Sequence, residues 1–188
     1  MDSIFGTPYL DIVCIEGKKV DLCVLRTDED AIDLYTKWMN DASINMWISH
    51  NDIVDQWLSE KAWAEKEREP EDCVWGIVDK TSRQLIGTCA CRKHRRESNS
   101  SLGICIGEAS GRDKGYGTEV IKMLIKFAFN EQHAHRVELM ANGDNARAIR
   151  CYEKAGFKEC GRMHEAGYYN GHYYDVVVME ILKKEWKK

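Results

Sequence analysis

One stretch of the chain limits the available folds more than any other. Leu102, Gly103, Ile104, Cys105 and Ile106 read as a strand, and Arg112, Asp113, Lys114, Gly115, Tyr116, Gly117 and Thr118 follow. Next come Ile121, Leu124, Ile125 and Ala128 on one helical face, widened by Val120, Met123 and Phe127. A strand, a glycine turn and a helix start leave backbone N–H groups without helical partners, at the positive end of the helix dipole. That combination suits an anion. Gly115 and Gly117 allow close approach of a phosphate, and Arg112 and Lys114 add charge. A plain strand-to-helix turn has the same glycines, so the segment by itself leaves its ligand open.

Three phosphate-binding patterns compete for it. A P-loop needs G-x-x-x-x-G-K-[S/T], which the residues from Gly111 to Gly115 do not supply. A dinucleotide fingerprint needs a third glycine, where this chain has Val120. Glu138 falls near the expected ribose-binding acid, but repeated βα units are missing around it. The pattern R-x-x-G-x-G, for a coenzyme A pyrophosphate, is met at Arg112, Gly115 and Gly117.

The flanking segments predict a mixed α/β sheet. Residues 18–26 alternate as a strand, with Val20, Leu22 and Val24 on one side. Asp28, Glu29 and Asp30 open a helix carrying Ala31, Ile32, Leu34, Tyr35 and Trp38. A second helix starts near Asn51 and Asp52 and buries Ile53, Val54, Trp57, Leu58 and Ala62. Residues 73–78 and 84–91 are strands about a turn at 79–82, and 92–100 form a polar loop. A short strand at 137–140 precedes a helix at 145–154, stopped by Gly156. Residues 157–160 and 173–182 close the sheet about a turn at 169–171. The whole chain, 1–188, reads as one domain, with 1–17 an extension or extra strand.

Composition removes several classes of function. The 27 basic and 31 acidic residues leave a net charge of −4, so no global basic field favours nucleic acid or an anionic membrane. The N-terminus lacks the pattern of a secretory signal, and no apolar run approaches the ~18 residues of a membrane span. The expected location is cytoplasmic, with the eight cysteines reduced. Cys89 and Cys91 sit in an apolar alternation with no His or Cys cluster after them, so no metal is expected.

A second block makes the first specific. Asn145, Ala148, Tyr152, Lys154, Gly156 and Phe157 stand in the order N-x-x-A-x-x-x-Y-x-K-x-G-F. With Arg112, Gly115 and Gly117 this resembles the GCN5-related N-acetyltransferase (GNAT) family. Leu25, Arg26, Glu29 and Asp30, Thr118 and Glu119, and the run from Glu165 to Asp175 resemble its RimJ/RimL-like branch. The resemblance implies a largely antiparallel mixed sheet with helices on both faces, acetyl-CoA as co-substrate, and a primary amine as acceptor. It points to a protein N-terminal α-amine or a small amine, with aminoglycosides, polyamines and amino sugars as alternatives, and to a possible homodimer. A non-catalytic CoA-binding module on the same fold is the runner-up from another class. By the same resemblance, Ile104, Cys105 and Ile106 hold the pantetheine arm. Amides from Arg112 through Asp113, Lys114, Gly115, Tyr116 and Gly117 to Thr118 hold the pyrophosphate. Asn145 and Lys154 join the coenzyme site, and Tyr152 is the general acid. Asn145 is equally a helix N-cap, and Tyr152 equally a packed core residue.

The chemistry gives Tyr152 a clear task. A thiol has a pKa of ~8.5 and a phenol ~10, so a tyrosine can protonate a departing sulfur without being ionised at neutral pH. The base is harder to place. An alkyl ammonium of pKa ~10.4 is neutral in only about one molecule in 2,500 at pH 7, a cost of about 4.6 kcal/mol, against about 1 kcal/mol for an α-amine. Many members of the resembled family carry an acid just before the coenzyme-binding strand, where this chain has Ser101. Glu108 is the first candidate base, with Glu138, Glu165 or a bound water as alternatives. Trp47, His50, Trp57 and the aromatics Tyr168, Tyr169, His172, Tyr173 and Tyr174 either shape the acceptor pocket or pack as core and cross-strand pairs.

Overall fold

The computed structural model describes residues 12–48, 57–66, 72–94, 98–112 and 114–186. Its strands are β1 (Val13–Ile15), β2 (Val20–Val24), β3 (Asp72–Asp79), β4 (Leu85–His94), β5 (Asn99–Ile106), β6 (Arg136–Asn142), β7 (Lys158–Tyr169) and β8 (His172–Leu182). Its helices are α1 (Glu29–Met39), α2 (Ala42–Asn45), α3 (Trp57–Lys66), α4 (Tyr116–Asn130) and α5 (Ala146–Ala155), with a 3-10 turn at Ala109–Gly111. The strands form one sheet in the order β1-β2-β3-β4-β5-β6-β8-β7. Neighbours are antiparallel except β5 and β6, which are parallel.

Strand alternation divides the core into two layers. On β3, Trp75 and Ile77 face one cluster while Val74 and Val78 face the other. The first is covered by Val120, Ile121, Leu124, Ile125 and Phe129 of α4 and by Ala155 of α5. Ala31, Ile32, Tyr35 and Trp38 of α1, with Ala64 of α3, cover the second. The sheet is therefore mixed and clad on both faces, as the pattern implied, and mostly antiparallel, as the resemblance implied. Capping fixes the helix ends. Asp28 accepts the Ala31 N–H at 3.2 Å to start α1, and Gly156 at φ 108° ends α5.

Three expectations need correction. In α3 the buried residues are Glu60 and Ala64, while Leu58 is 70% exposed and Ala62 is exposed. The apolar spacing there misleads because this helix turns a carboxylate, not leucine, toward the sheet. Residues 51–56 lie outside the described residues. The polar segment expected as a loop is largely strand, since β4 runs to His94 and β5 begins at Asn99, with pairs such as Arg92↔Ser101 and His94↔Asn99. Polar side chains on those strands face a cleft rather than the core, so hydrophobic alternation stops before the pairing does. β7 likewise continues to Tyr169 as an exposed edge strand paired with β8.

Candidate active site

The parallel pair creates the site by failing to continue. β5 and β6 pair only at Asn99↔Arg136, Ser100↔Val137 and Ser101↔Glu138. Further along, residues 102–106 stay with β4 and residues 139–142 stay with β8, so the two strands part. The inner edge of β5 is left open along Gly103, Ile104, Cys105 and Ile106, which all line the resulting cleft of about 1120 Å³. Backbone N–H and C=O groups on such an edge are available to an extended ligand.

α4 and α5 flank that opening. Gly115 caps α4 at φ 81°, in the left-handed region that glycine occupies at no steric cost, and no side chain caps the helix. The first N–H groups of α4 are thus left for a ligand. Four hydrogen bonds hold this turn in place. Lys19 Nζ donates to the Lys114 carbonyl at 2.8 Å. Glu119 accepts the backbone N–H groups of Lys18 and Lys19 at 2.6 and 2.8 Å. Tyr116 donates its hydroxyl to buried Asp79, which holds that carboxyl below its usual range and raises the phenol. Across the gap, Asn145 accepts the Ala148 N–H at 3.0 Å and so caps α5 while lining the cleft. Thr118 Oγ1 and Cys151 Sγ, 3.3 Å apart, tie the two helices together.

Tyr152 stands on the α5 wall, 9% exposed, with its ring 6.3 Å from that of Phe157. Burial pushes its phenol well above the usual value, with the Cys151 and Cys105 thiols adding to the rise. It is a protonated acid throughout the physiological range. Lys154, exposed, lies on the same wall.

Other expected residues are placed differently. The Arg112 side chain is a strut, donating to the Gly107 carbonyl at 3.3 Å and to Ser43 Oγ of α2 at 3.2 Å, with a buried Nε that has no partner among the described residues. The side chain of Lys114 is exposed, with its Nζ 5.8 Å from the centre of the Tyr116 ring. Asp113 and His50 lie outside the described residues.

Glu108 does not suit a base. Its carboxylate accepts Trp38 Nε1 at 2.9 Å and Lys37 Nζ at 3.2 Å, contacts that hold it below the usual carboxylate range, and it is not part of the cleft wall. Glu165 is exposed on β7, its N–H bound to the Asp175 carboxylate at 3.0 Å. Tyr168 and Tyr173 pack on one another across the β7–β8 hairpin at 5.0 Å, away from the cleft. Trp47 does line the cleft, whereas Trp57 packs beside the α1–α3 core.

Sequence reasoning missed the cleft face made by α3, β4 and the base of β5. Glu60, 7% exposed, Trp63, Arg92 and His94 join Ser101 and Glu138 there. His94 Nε2 and Ser101 Oγ are 2.9 Å apart, and Glu138 is paired with Arg136. The alternation of Arg92 with His94 was the available signal. The Glu60 charge is felt at Tyr35 and Cys105, where it works to raise both groups. The cleft therefore has a cationic mouth, with Lys114 nearby and Arg147, Arg150 and Lys154 on its wall, and two carboxylates on its other face.

A family model described as an acetyltransferase (GNAT) domain matches residues 22–158, which include the splayed strands, the Gly115 turn and α5. The chain belongs to the GNAT family. It is 39% identical over 56 residues to a kanamycin resistance protein of Rhizobium radiobacter, covering 30% of this chain and 52% of that one. It is 32% identical over 110 residues to the spermidine N(1)-acetyltransferase of Vibrio cholerae, covering 58% and 64% respectively. These matches span from about half to under two-thirds of the relatives' own lengths. The solved spermidine N-acetyltransferase of V. cholerae, in complex with CoA and spermine, superposes with a TM-score of 0.78 at 20% identity, over 89% of this chain and 97% of that one.

Proposed function

We propose that this GNAT protein transfers an acetyl group from acetyl-CoA to a primary amine by direct attack, with Tyr152 as general acid. One observation carries the reading. The β5–β6 split opens between an uncapped helix start at Gly115 and a buried, protonated phenol on α5. That is the arrangement a thioester with a diphosphate tail requires. Amides of Lys114 through Thr118 would bind the pyrophosphate, with Lys154 and Arg150 beside it. The open edge at Ile104, Cys105 and Ile106 and the Asn145 side chain would take the pantetheine amides. The coenzyme supplies an activated acetyl group on a thiol of ordinary pKa.

Tyr152 then protonates or hydrogen-bonds the departing sulfur, a role worth ~10²–10⁴-fold. On the opposite face, Glu60 and Glu138 with Trp47 and Trp63 suit a small amine that carries positive charge. The kinship with spermidine and kanamycin proteins supports such an acceptor. The RimJ/RimL-like resemblance points instead to a protein N-terminal α-amine. A panel of spermidine, kanamycin, glucosamine and a short peptide, followed by release of free thiol from acetyl-CoA, separates them. A polyamine or aminoglycoside should give the highest kcat/KM. Exclusive use of the peptide refutes the charged small-amine acceptor, and CoA binding without any turnover refutes the enzyme.

A further inference from the structure

We propose that Ser101 and His94 form the proton relay that neutralises the acceptor amine, an inference that rests on the acetyl-transfer reading. Ser101 is the last residue of β5 still paired with β6, so its side chain stands at the point of the split. His94, on β4, lies diagonally across from it with Nε2 2.9 Å from Ser101 Oγ, and both side chains line the cleft. They share a sheet face with Glu138, on the side covered by α1 and α3 and opposite the α4 layer. Ser101 is half-buried where the strands part, and His94 is exposed to water. The pair thus connects the interior of the cleft to solvent.

A hydroxyl alone is too weak a base for an ammonium, but hydrogen-bonded to an imidazole it can pass a proton in a single exchange. In the tautomer with Nε2 unprotonated, Ser101 Oγ takes a proton from R–NH3+ as its own proton moves to His94. His94 then releases it to water. The resulting R–NH2 forms the C–N bond, the C–S bond breaks, and Tyr152 protonates the sulfur. The second nitrogen proton replaces the one that Tyr152 gave up. The sum is R–NH3+ plus thioester going to amide, thiol and one proton. The two carboxylates on the wall are less suited. Glu138 is engaged by Arg136, which also donates to Glu180 at 3.0 Å, and Glu60 is 7% exposed. The charged residues around His94 are Arg92 on its own strand and face, Lys93 on the other face, Arg136 and Glu138 across β5, and Glu60 on α3.

His94→Gln and Ser101→Ala test the relay, with Ser101→Thr as the conservative control. Each is assayed with spermidine and kanamycin from pH 6 to 10, and folding is checked by melting temperature. At pH 7, kcat/KM for the amine should fall about 10²-fold in the first two variants, while KM for acetyl-CoA is unchanged. The deficit should shrink toward pH 10, where about a quarter of an amine of pKa ~10.4 is neutral unaided. The double variant should be no worse than either single one, and Ser101→Thr should recover most of the activity. Loss of equal size at every pH indicates a structural role and overturns the relay, as does activity within two-fold of wild type at pH 7. A wild-type protein that acetylates neither amine, nor any other in the panel, overturns the acetyl-transfer reading and the relay with it.

Discussion

Tyr152→Phe removes one oxygen and leaves the ring against Phe157, so the fold should be retained while the acid is lost. The expected size follows from the environment of the phenol. Without a proton donor the coenzyme leaves as a thiolate. With a thiol pKa of ~8.5 this costs about 1.5 pK units at pH 7, or about 2 kcal/mol. A hydrogen bond to a charged partner adds about 1.5–3 kcal/mol. Together these give about 3.5–5 kcal/mol, or a loss of about 400- to 5,000-fold in kcat. Single-turnover thiol release at saturating amine measures this step apart from product release. Calorimetric titration with CoA should give an affinity within about three-fold of wild type, since the binding groups on α4 and β5 are untouched. A single-turnover rate within five-fold of wild type refutes the acid role. So does a loss of activity matched by a loss of CoA affinity.

Other outcomes follow from the same geometry. Because burial raises the Tyr152 phenol, kcat should stay flat from neutral pH to about pH 10; a descending limb near pH 9 contradicts a buried acid. Gly115→Ala has room for its methyl, the nearest atom being Lys19 Nζ at 3.6 Å, so its cost is the left-handed backbone, about 1–2 kcal/mol. KM for acetyl-CoA should rise about ten-fold with kcat little changed, as read by steady-state kinetics. Tyr116→Phe should lower stability by about 1.5 kcal/mol at pH 7 in a urea titration. Asp79 is held below its usual range in the folded state. The stabilisation it shares with Tyr116 is therefore present above pH 4 and lost as the pH falls below that, and the wild-type and Tyr116→Phe curves should converge there.

The proposed coenzyme half of the site is legible because the residues assigned to it stand in the local sequence. A left-handed turn needs Gly115, an uncapped helix start follows it, and Asn145 and Tyr152 sit at fixed spacing on one short helix. The acceptor half is not. Glu60 comes from a helix distant in sequence, and His94 and Ser101 meet only through the register of the β4–β5 hairpin. Glu108 shows the converse. A carboxylate next to the coenzyme-binding strand reads as a candidate base, but the sequence does not show that Trp38 and Lys37 of α1 claim it. Apolar patterning located the core strands and α4 well, because those faces are buried. It failed on α3 and at the end of β4, where polar side chains point into a cavity.

A crystal structure of the protein with bound CoA tests the central claim most directly. The pyrophosphate should lie on the amides following Lys114, the pantetheine arm along the free edge of β5, and the sulfur within hydrogen-bond reach of Tyr152 Oη. CoA bound elsewhere, or in the cleft with its sulfur turned away from Tyr152, would contradict it.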